Sequence, residues 1–525
     1  MTASAPDPHG PSAQFVRLGA AELGRLFADG STTSGEVTSA LLERVEAVDR
    51  TGPALRSVLR LNERALEEAT GLDDERRRGR VRGPLHGVPI LVKDNIDTAD
   101  LGATAGSLAL AGSSPPSDAH LVTKLRHAGM VIIGKANLSE WANFRGRPSS
   151  SGWSAAGGQT RNPFALNRSP GGSSAGSAAG VAAGLAPFAV GTETDGSILC
   201  PAAACGLVGL KPTVGLVSRT GIIPISASQD TAGPMARSVA DVAMLLEVLA
   251  GGRADPDDRA MDGRRSPVGG YLRALASDLR GVRIGVVREE GYFGYHKASD
   301  RIVESAVAAM QVAGAEVVDP VTGIGSPVQA DEMVVLCTEF KAGLDMYLAR
   351  RSSGAGSSGA GPVGSQPFPR TLADVIAFNE ESTGERLDVF PQDVLERAAA
   401  TTGLDDDAYR QARRRNHERT RSDGIDGVCS RLYLDALVAL TMAPAWTIDH
   451  VNGDGHFGSS WGQAAVAGYP SLSLPVGEVA GMPVGLTIWG PAWTEATLLR
   501  IAAAAEREIG YRPVPAYREV VAVLG

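Results

Sequence analysis

The sequence predicts an α/β fold, one large domain in which helices lie on a β-sheet. Short apolar runs of strand length at 87–92, 130–134, 282–287, 316–319, 436–440, 471–476 and 484–489 alternate with stretches of helical periodicity at 35–48, 118–128, 238–250, 300–313 and 494–506. That alternation is what helices laid against a sheet produce. The strand-like runs continue on both sides of a Gly/Ser-rich break at 351–366, RSSGAGSSGAGPVGSQ. The break therefore reads as a flexible surface insertion and not as a domain boundary. Finally, the chain has 525 residues, 43% hydrophobic and 21% charged, which is enough to bury a large core.

Residues 1–14 lack the basic start and apolar centre of a secretory signal and read as a flexible tail, with 15–525 as the folded domain. Val37, Leu41, Leu42, Val45 and Val48 sit at helical spacing, which predicts an amphipathic helix, and the highly charged 67–80 reads as solvated. The apolar run 87–92 is a buried strand ending in Lys93-Asp94-Asn95, followed by a helix over 118–128 and a strand over 130–134. Within the nearly uncharged stretch 169–218, a small-residue helix over 175–185 and a strand over 187–190 separate two hydroxyl-bearing loops, Gly171-Gly172-Ser173-Ser174 and Asp195-Gly196-Ser197. Glycine permits positive φ and close backbone approach, so such loops suit N–H groups aimed at a ligand. Further on, 405–431 reads as one charged helix and 494–506 as a closing helix.

The charge balance, 50 Lys+Arg against 59 Asp+Glu for a net −9, gives no basic patch for nucleic acid or an anionic membrane. No apolar run reaches the roughly 20 residues of a spanning helix. The four cysteines, Cys200, Cys205, Cys337 and Cys429, form no CxxC pair and no disulfide framework. The expectation is a cytoplasmic protein without nucleic-acid or membrane partners.

Three groups of residues could carry chemistry. Lys93 directly follows an apolar strand, an unusual place for a hydrated ammonium. At a reference pKa near 10.4, only about one lysine in 2,500 is neutral at pH 7, a cost of roughly 4.6 kcal/mol. Lys93 can therefore be a base only if the fold buries it. Ser173, Ser174 and Ser197 are nucleophile candidates. Gly172-Ser173-Ser174-Ala175-Gly176 matches the short GxSxG string, and His296, His417, His450 and His456 follow it, so chain order leaves a Ser-His-Asp arrangement open. His450 and His456, among Asp449, Asn452 and Asp454, match no standard zinc or calcium spacing and read as a polar loop near a substrate entrance. Neither a metal nor an organic cofactor is expected.

Taken together these segments resemble the amidase signature family. The carriers are Gly171–Ser177 (GGSSAGS), Gly191–Ile198 (GTETDGSI), Cys205–Thr213 (CGLVGLKPT), Gly87–Asp97 (GVPILVKDNID) and the Gly468–Gly485 region, so the likeness spans most of the chain. The resemblance implies a single domain with a central mixed sheet flanked by helices, its catalytic core about 87–240 and its insertion about 351–367. It also implies Ser197 as nucleophile, Ser173 as a bridging serine 24 positions earlier, Lys93 as base, and a cis peptide bond at Gly172–Ser173. The backbone N–H groups of Thr194, Asp195, Gly196 and Ser197 would form the oxyanion hole.

Two positions depart from the common pattern. Many relatives have Gly-Gly-Ser at the nucleophile loop, where this chain has Asp195-Gly196-Ser197. Many have arginine two residues past the nucleophile, where Leu199 stands. Ile198 and Leu199 then point to an apolar or peptide-like acyl group. The segments Ser139–Arg145, Ser151–Pro163 and Ser218–Met235 are similar to the branch of the family that hydrolyses the C-terminal amide of peptides. In that branch Trp141, Phe144 and Trp153 would supply apolar walls. The resemblance also keeps two neighbours in view: a general acylamidase acting on aryl or alkyl amides, and an amidotransferase subunit supplying ammonia from glutamine. Oligomeric state is left open.

Overall fold

A computed structural model describes residues 14–265, 267, 270–325, 327–354 and 368–521. The predicted N-terminal tail and almost all of the Gly/Ser-rich stretch lie outside the described residues.

Eleven strands form one mixed sheet. In chain order these are β1 (Val58–Leu61), β2 (Pro89–Lys93), β3 (Val131–Ala136), β6 (Phe188–Glu193), β7 (Val208–Lys211), β8 (Thr231–Ala236), β9 (Arg283–Val287), β10 (Glu316–Val321), β11 (Ala436–Leu440), β12 (Ser471–Val479) and β13 (Met482–Trp489), while a separate two-residue hairpin supplies β4 (Trp153–Ser154) and β5 (Gly158–Gln159). Across the sheet the order is β1-β3-β2-β6-β8-β7-β12-β13-β11-β9-β10. Strand β2 pairs parallel to both β3 and β6, and β6 pairs antiparallel to β8.

Both sheet faces are covered, which explains why the central strands read as continuous apolar runs. Along β2, Ile90 and Val92 join one core and Leu91 the other; along β6, Phe188 and Val190 oppose Ala189 in the same way. The first core takes helices α1 (Ala20–Asp29), α2 (Ser34–Arg44), α4 (His120–His127), α7 (Val239–Ala250), α8 (Lys297–Val312) and α15 (Glu495–Ile509). The second takes the small-residue helices α5 (Ala175–Ala182) and α6 (Leu199–Ala204). Every residue of α5 is buried. A Cβ on Gly176 would collide with the backbone of Ser57 and Asn137, and one on Gly180 with Leu91. Glycine here allows backbones to touch, at a cost in helix propensity.

Three expectations change. The charged 67–80 is largely helix α3 (Ala65–Arg77), whose Ala65, Ala69 and Leu72 are buried, so only part of it faces water. The segment 405–431 is broken: α12 (Asp407–Thr420) ends in a wide turn over Arg421–Ile425 before α13 (Asp426–Leu432). The break falls at Gly424, with φ −102° and ψ −115°, where a Cβ would meet the Arg419 and Ile324 carbonyl oxygens. Beyond it, α13 packs with α14 (Gly462–Ala467) in a smaller cluster beside β9 and β11. Last, the long helix α9 (Gln329–Gly354) runs into the predicted surface insertion. Its Arg351 is buried and donates to the carbonyls of Ala103 and Ser113 at 2.7 and 2.8 Å, so this end of the helix is anchored. With α10 (Leu372–Glu381) and α11 (Asp393–Ala399), α9 builds a third apolar cluster around Trp141 and Phe144.

Candidate active site

Lys93 is the last residue of β2, fully buried between β3 and β6. Its Nζ lies 2.7 Å from Ser173 Oγ, and it donates to Thr192 Oγ1 at 2.9 Å and to the Thr192 carbonyl at 3.3 Å. Thr192 Oγ1 also accepts from Asn95 Nδ2 at 3.0 Å, so the residue two places after the lysine helps fix its partner. Burial brings the Lys93 amine down from 10.5 to about 7, against the opposing pull of the Glu193 and Asp230 carboxylates. Half of such amines are neutral at pH 7. A neutral amine has two N–H groups and one lone pair. With both N–H groups given to Thr192, a neutral Lys93 would have its lone pair left for the Ser173 hydroxyl; as an ammonium it donates to Ser173 Oγ instead.

The peptide bond Gly172–Ser173 is cis. Gly172 sits against Ser139, whose N–H donates to the Ser173 carbonyl at 3.1 Å. Ser174, the centre of the GxSxG string, is buried and tied to Thr192 through both the carbonyl, at 3.1 Å, and the N–H, at 3.3 Å. It faces the sheet and not a cavity.

Ser197 lies on the loop between β6 and α6. Gly196 takes φ +79° beneath the indole of Trp461, where any Cβ would clash. Glu193 holds the loop from below: its Oε2 accepts the N–H groups of Ile198 and Leu199 at 2.7 and 3.0 Å. Among the described residues, no backbone carbonyl accepts from the N–H of Asp195 or Ser197. The two loops meet here through backbone, the Ser174 N–H donating to the Ser197 carbonyl at 3.2 Å. Among the described residues, the side chains of Ser173 and Ser197 make no direct hydrogen bond to each other, and apo-like geometry of this kind does not decide a catalytic role.

A cavity of about 450 Å³ opens over Ser197, with Gly172, Thr194, Asp195 and Cys200 on its floor. Its far wall is α9 (Glu332, Met333 and Leu336) with Val394 of α11; Trp446, Asp454, His456 and Trp461 form another side. A larger concavity of about 550 Å³ lies beyond α9 against Arg219, Met346 and Arg413. It contains neither candidate serine nor Lys93, so chemistry and not size picks the smaller one.

Of the predicted wall residues, only Phe144 lines this cavity. Trp141 and Trp153 are buried, Trp141 in the cluster under α9 and Trp153 against Phe390 and the Arg145 guanidinium. Ile198 and Leu199 are fully buried in the second core, and Ile198 reaches toward Gly209 and Gly233. Their side chains brace the Ser197 loop from behind; with Phe144, the apolar contacts facing the cavity come from Ile225, Met333, Leu336 and Val394 instead. His456 stands tilted between Trp446 and Trp461, ring centroids 5.6 and 6.2 Å away, which puts the predicted polar loop at the cavity. No grouping of three metal-capable side chains occurs among the described residues.

Phe144 reaches the cavity through a left-handed turn. Trp141, Ala142 and Asn143 have φ of 50°, 53° and 72°, an unusual run for residues that carry a Cβ. A buried cluster holds it. Arg145 pairs with Glu140 at 2.5 Å and Glu385 at 3.3 Å, and donates to the Glu385 carbonyl at 2.7 Å. Burial and the Glu385 charge raise the Glu140 carboxyl well above its usual range, with the Arg145 guanidinium pulling the other way.

Fold and site together define an amide hydrolase. The family model named Amidase matches residues 36–499, and the chain belongs to that family, the amidase signature enzymes, acting on amide C–N bonds. Among solved structures, the native peptide amidase from Stenotrophomonas maltophilia is 48% identical with a TM-score of 0.88, over 96% of this chain and 99% of that one. A probable amidase of Arabidopsis thaliana is 38% identical over 484 residues, 90% of this chain and 87% of its own. A glutamyl-tRNA(Gln) amidotransferase component of Salinispora arenicola is 36% identical over 522 residues, 96% and 99% of the two chains. No described helix is long and apolar enough to cross a membrane.

Proposed function

We propose that the protein hydrolyses the C-terminal carboxamide of peptides to the free acid and ammonia, with Ser197 as nucleophile, Ser173 as bridge and Lys93 as base. The single observation behind this reading is the fully buried Lys93 amine, brought down to about 7 by that burial, with its Nζ 2.7 Å from Ser173 Oγ. Ser197 Oγ attacks the amide carbonyl as its proton passes to Ser173, whose own proton moves to Lys93. The N–H groups of the 194–197 loop receive the oxyanion. The relay runs backward to protonate the departing nitrogen, ammonia leaves, and water cleaves the Ser197 ester by the same steps.

The peptide substrate is supported by the 48% identity to peptide amidase, a protein also solved with the competitive inhibitor chymostatin. The test is ammonia release from peptide amides, from anilides and from glutamine, each with the purified single chain. Turnover of peptide amides above the others is the expected result. Preference for anilides would favour a general acylamidase. Dependence on a co-purifying protein, with glutamine as substrate, would favour the reading suggested by the amidotransferase relatives.

A further inference from the structure

Asp195, the residue that departs from the common Gly-Gly-Ser pattern, stands two places before Ser197 and is exposed to the same cavity. Opposite it, Glu332 reaches in from the first turn of α9. The third carboxylate at the cavity is fully engaged: Asp454 accepts from the Ser149 and Ser151 hydroxyls at 2.6 and 2.8 Å, from the Ser151 N–H and from the Trp446 indole at 3.0 Å. Asp195 differs. Among the described residues no group donates a hydrogen bond to its carboxylate, and Glu332 accepts only from Gln229, at 3.0 Å.

Two cations influence the pair without neutralising it. Arg147, exposed at the rim, attracts Glu332 but forms no ion pair with either acid among the described residues. Lys211 lies behind the loop, where Nζ donates to the carbonyls of Tyr469 and Pro212 at 2.6 and 3.2 Å. Enclosure by the cavity walls and repulsion from Glu332, with Glu193 adding to it, raise the Asp195 carboxyl well above its usual range. Two carboxyl groups thus stand beside Ser197 with hydrogen-bond acceptance to spare, and a cationic group between them relieves their repulsion and favours their charged forms. An ammonium or guanidinium supplies donors of the right number and sign, and such charge-assisted bonds are the strong ones.

We infer that Asp195 and Glu332 make this site select peptide amides whose side chains near the scissile amide are basic. The inference rests on the peptide-amide reading above and narrows it to lysine- and arginine-type substrates, with acidic ones turned away. It is tested by letting acetyl-Ala-Ala-Lys-NH2 compete with acetyl-Ala-Ala-norleucine-NH2, a chain of like length without the charge. The ratio of kcat/KM in one vessel does not depend on how much of a variant folds. We expect the wild-type ratio to favour lysine about tenfold or more, and Asp195→Asn and Glu332→Gln each to pull it several-fold toward one. Calorimetric binding of the same peptides to the Ser197→Ala protein should show the same order. A wild-type ratio near one, or a ratio that neither substitution moves, overturns the inference. If neither peptide is hydrolysed yet Ser197→Ala still binds the lysine peptide preferentially, the peptide-amide reading falls and the selectivity stands.

Discussion

Raising the pH from 6 to 8 should switch this enzyme on through Lys93. The amine's fall from 10.5 to about 7 corresponds to roughly 5 kcal/mol of lost preference for the ammonium, at about 1.4 kcal/mol per unit. In the proposed relay the ammonium has no lone pair for the Ser173 proton, so the neutral form should be the active one and kcat/KM should rise with pH. At pH 6 it should stand at about a tenth of its plateau and at pH 8 near full value. A lysine at its solution pKa would instead give a rate still climbing about tenfold per unit at pH 9. Asp230→Asn sharpens the test, because Asp230 helps hold the proton on Lys93. The amide oxygen can still accept from the N–H groups of Ile225 and Ser226, now bonded to Oδ2 at 2.8 and 2.9 Å, while its NH2 takes the place of Oδ1 and donates to the Thr194 hydroxyl that now donates to it at 2.6 Å. The midpoint should move down by about half a unit. Asp230 is itself pushed up to about 6 by burial, so the two profiles should converge below that pH. Initial rates of ammonia release between pH 5.5 and 9.5 at fixed ionic strength measure this. A rate that climbs unbroken past pH 9, or a midpoint that rises in Asp230→Asn, refutes the role given to Lys93.

Lys93 also links stability to pH: between pH 7 and 10 the unfolded chain holds a proton on this amine that the folded one lacks, so the stability of the wild type relative to Lys93→Met should rise with pH, readable in paired urea titrations. Ser197→Ala should lower kcat by at least ~1,000-fold and abolish labelling by a fluorophosphonate, while Ser173→Ala should cost about 100- to 10,000-fold with folding intact by circular dichroism. Gly196→Ala forces a side chain into the Trp461 indole at φ +79°, and should remove turnover far more than it lowers Tm. Arg145→Ala leaves Glu140 and Glu385 buried without a cation, which should cost about 3–5 kcal/mol in urea unfolding and, by loosening the turn at Ala142, raise KM.

Periodicity and small-residue motifs made the central half of this molecule readable. The run ending at Lys93, the glycines around Ser173 and the Asp195-Gly196-Ser197 loop all carried their meaning locally, because close backbone approach and strand burial leave composition signatures. Strands β7 and β8 did not, since Gly209, Gly233 and Pro234 interrupt their apolar pattern where neighbours press in. The far wall of the cavity was equally hidden. Nothing near Glu332 or Val394 distinguishes them from ordinary helix residues, and they face Ser197 only because α9 and α11 pack across it. Trp141 and Trp153 misled for a related reason: aromatic side chains near a motif serve a core as readily as a ligand, and the left-handed turn that buries the first also presents Phe144.

The tight seating of α5 has a practical corollary. A helix with no spare volume beneath it cannot drift to suit a new guest, and the loops it anchors inherit that immobility. Retuning by directed evolution should therefore spare the Gly/Ala half of the molecule and randomise Met333, Leu336 and Val394, where longer or shorter side chains reshape the chamber without disturbing the reacting groups.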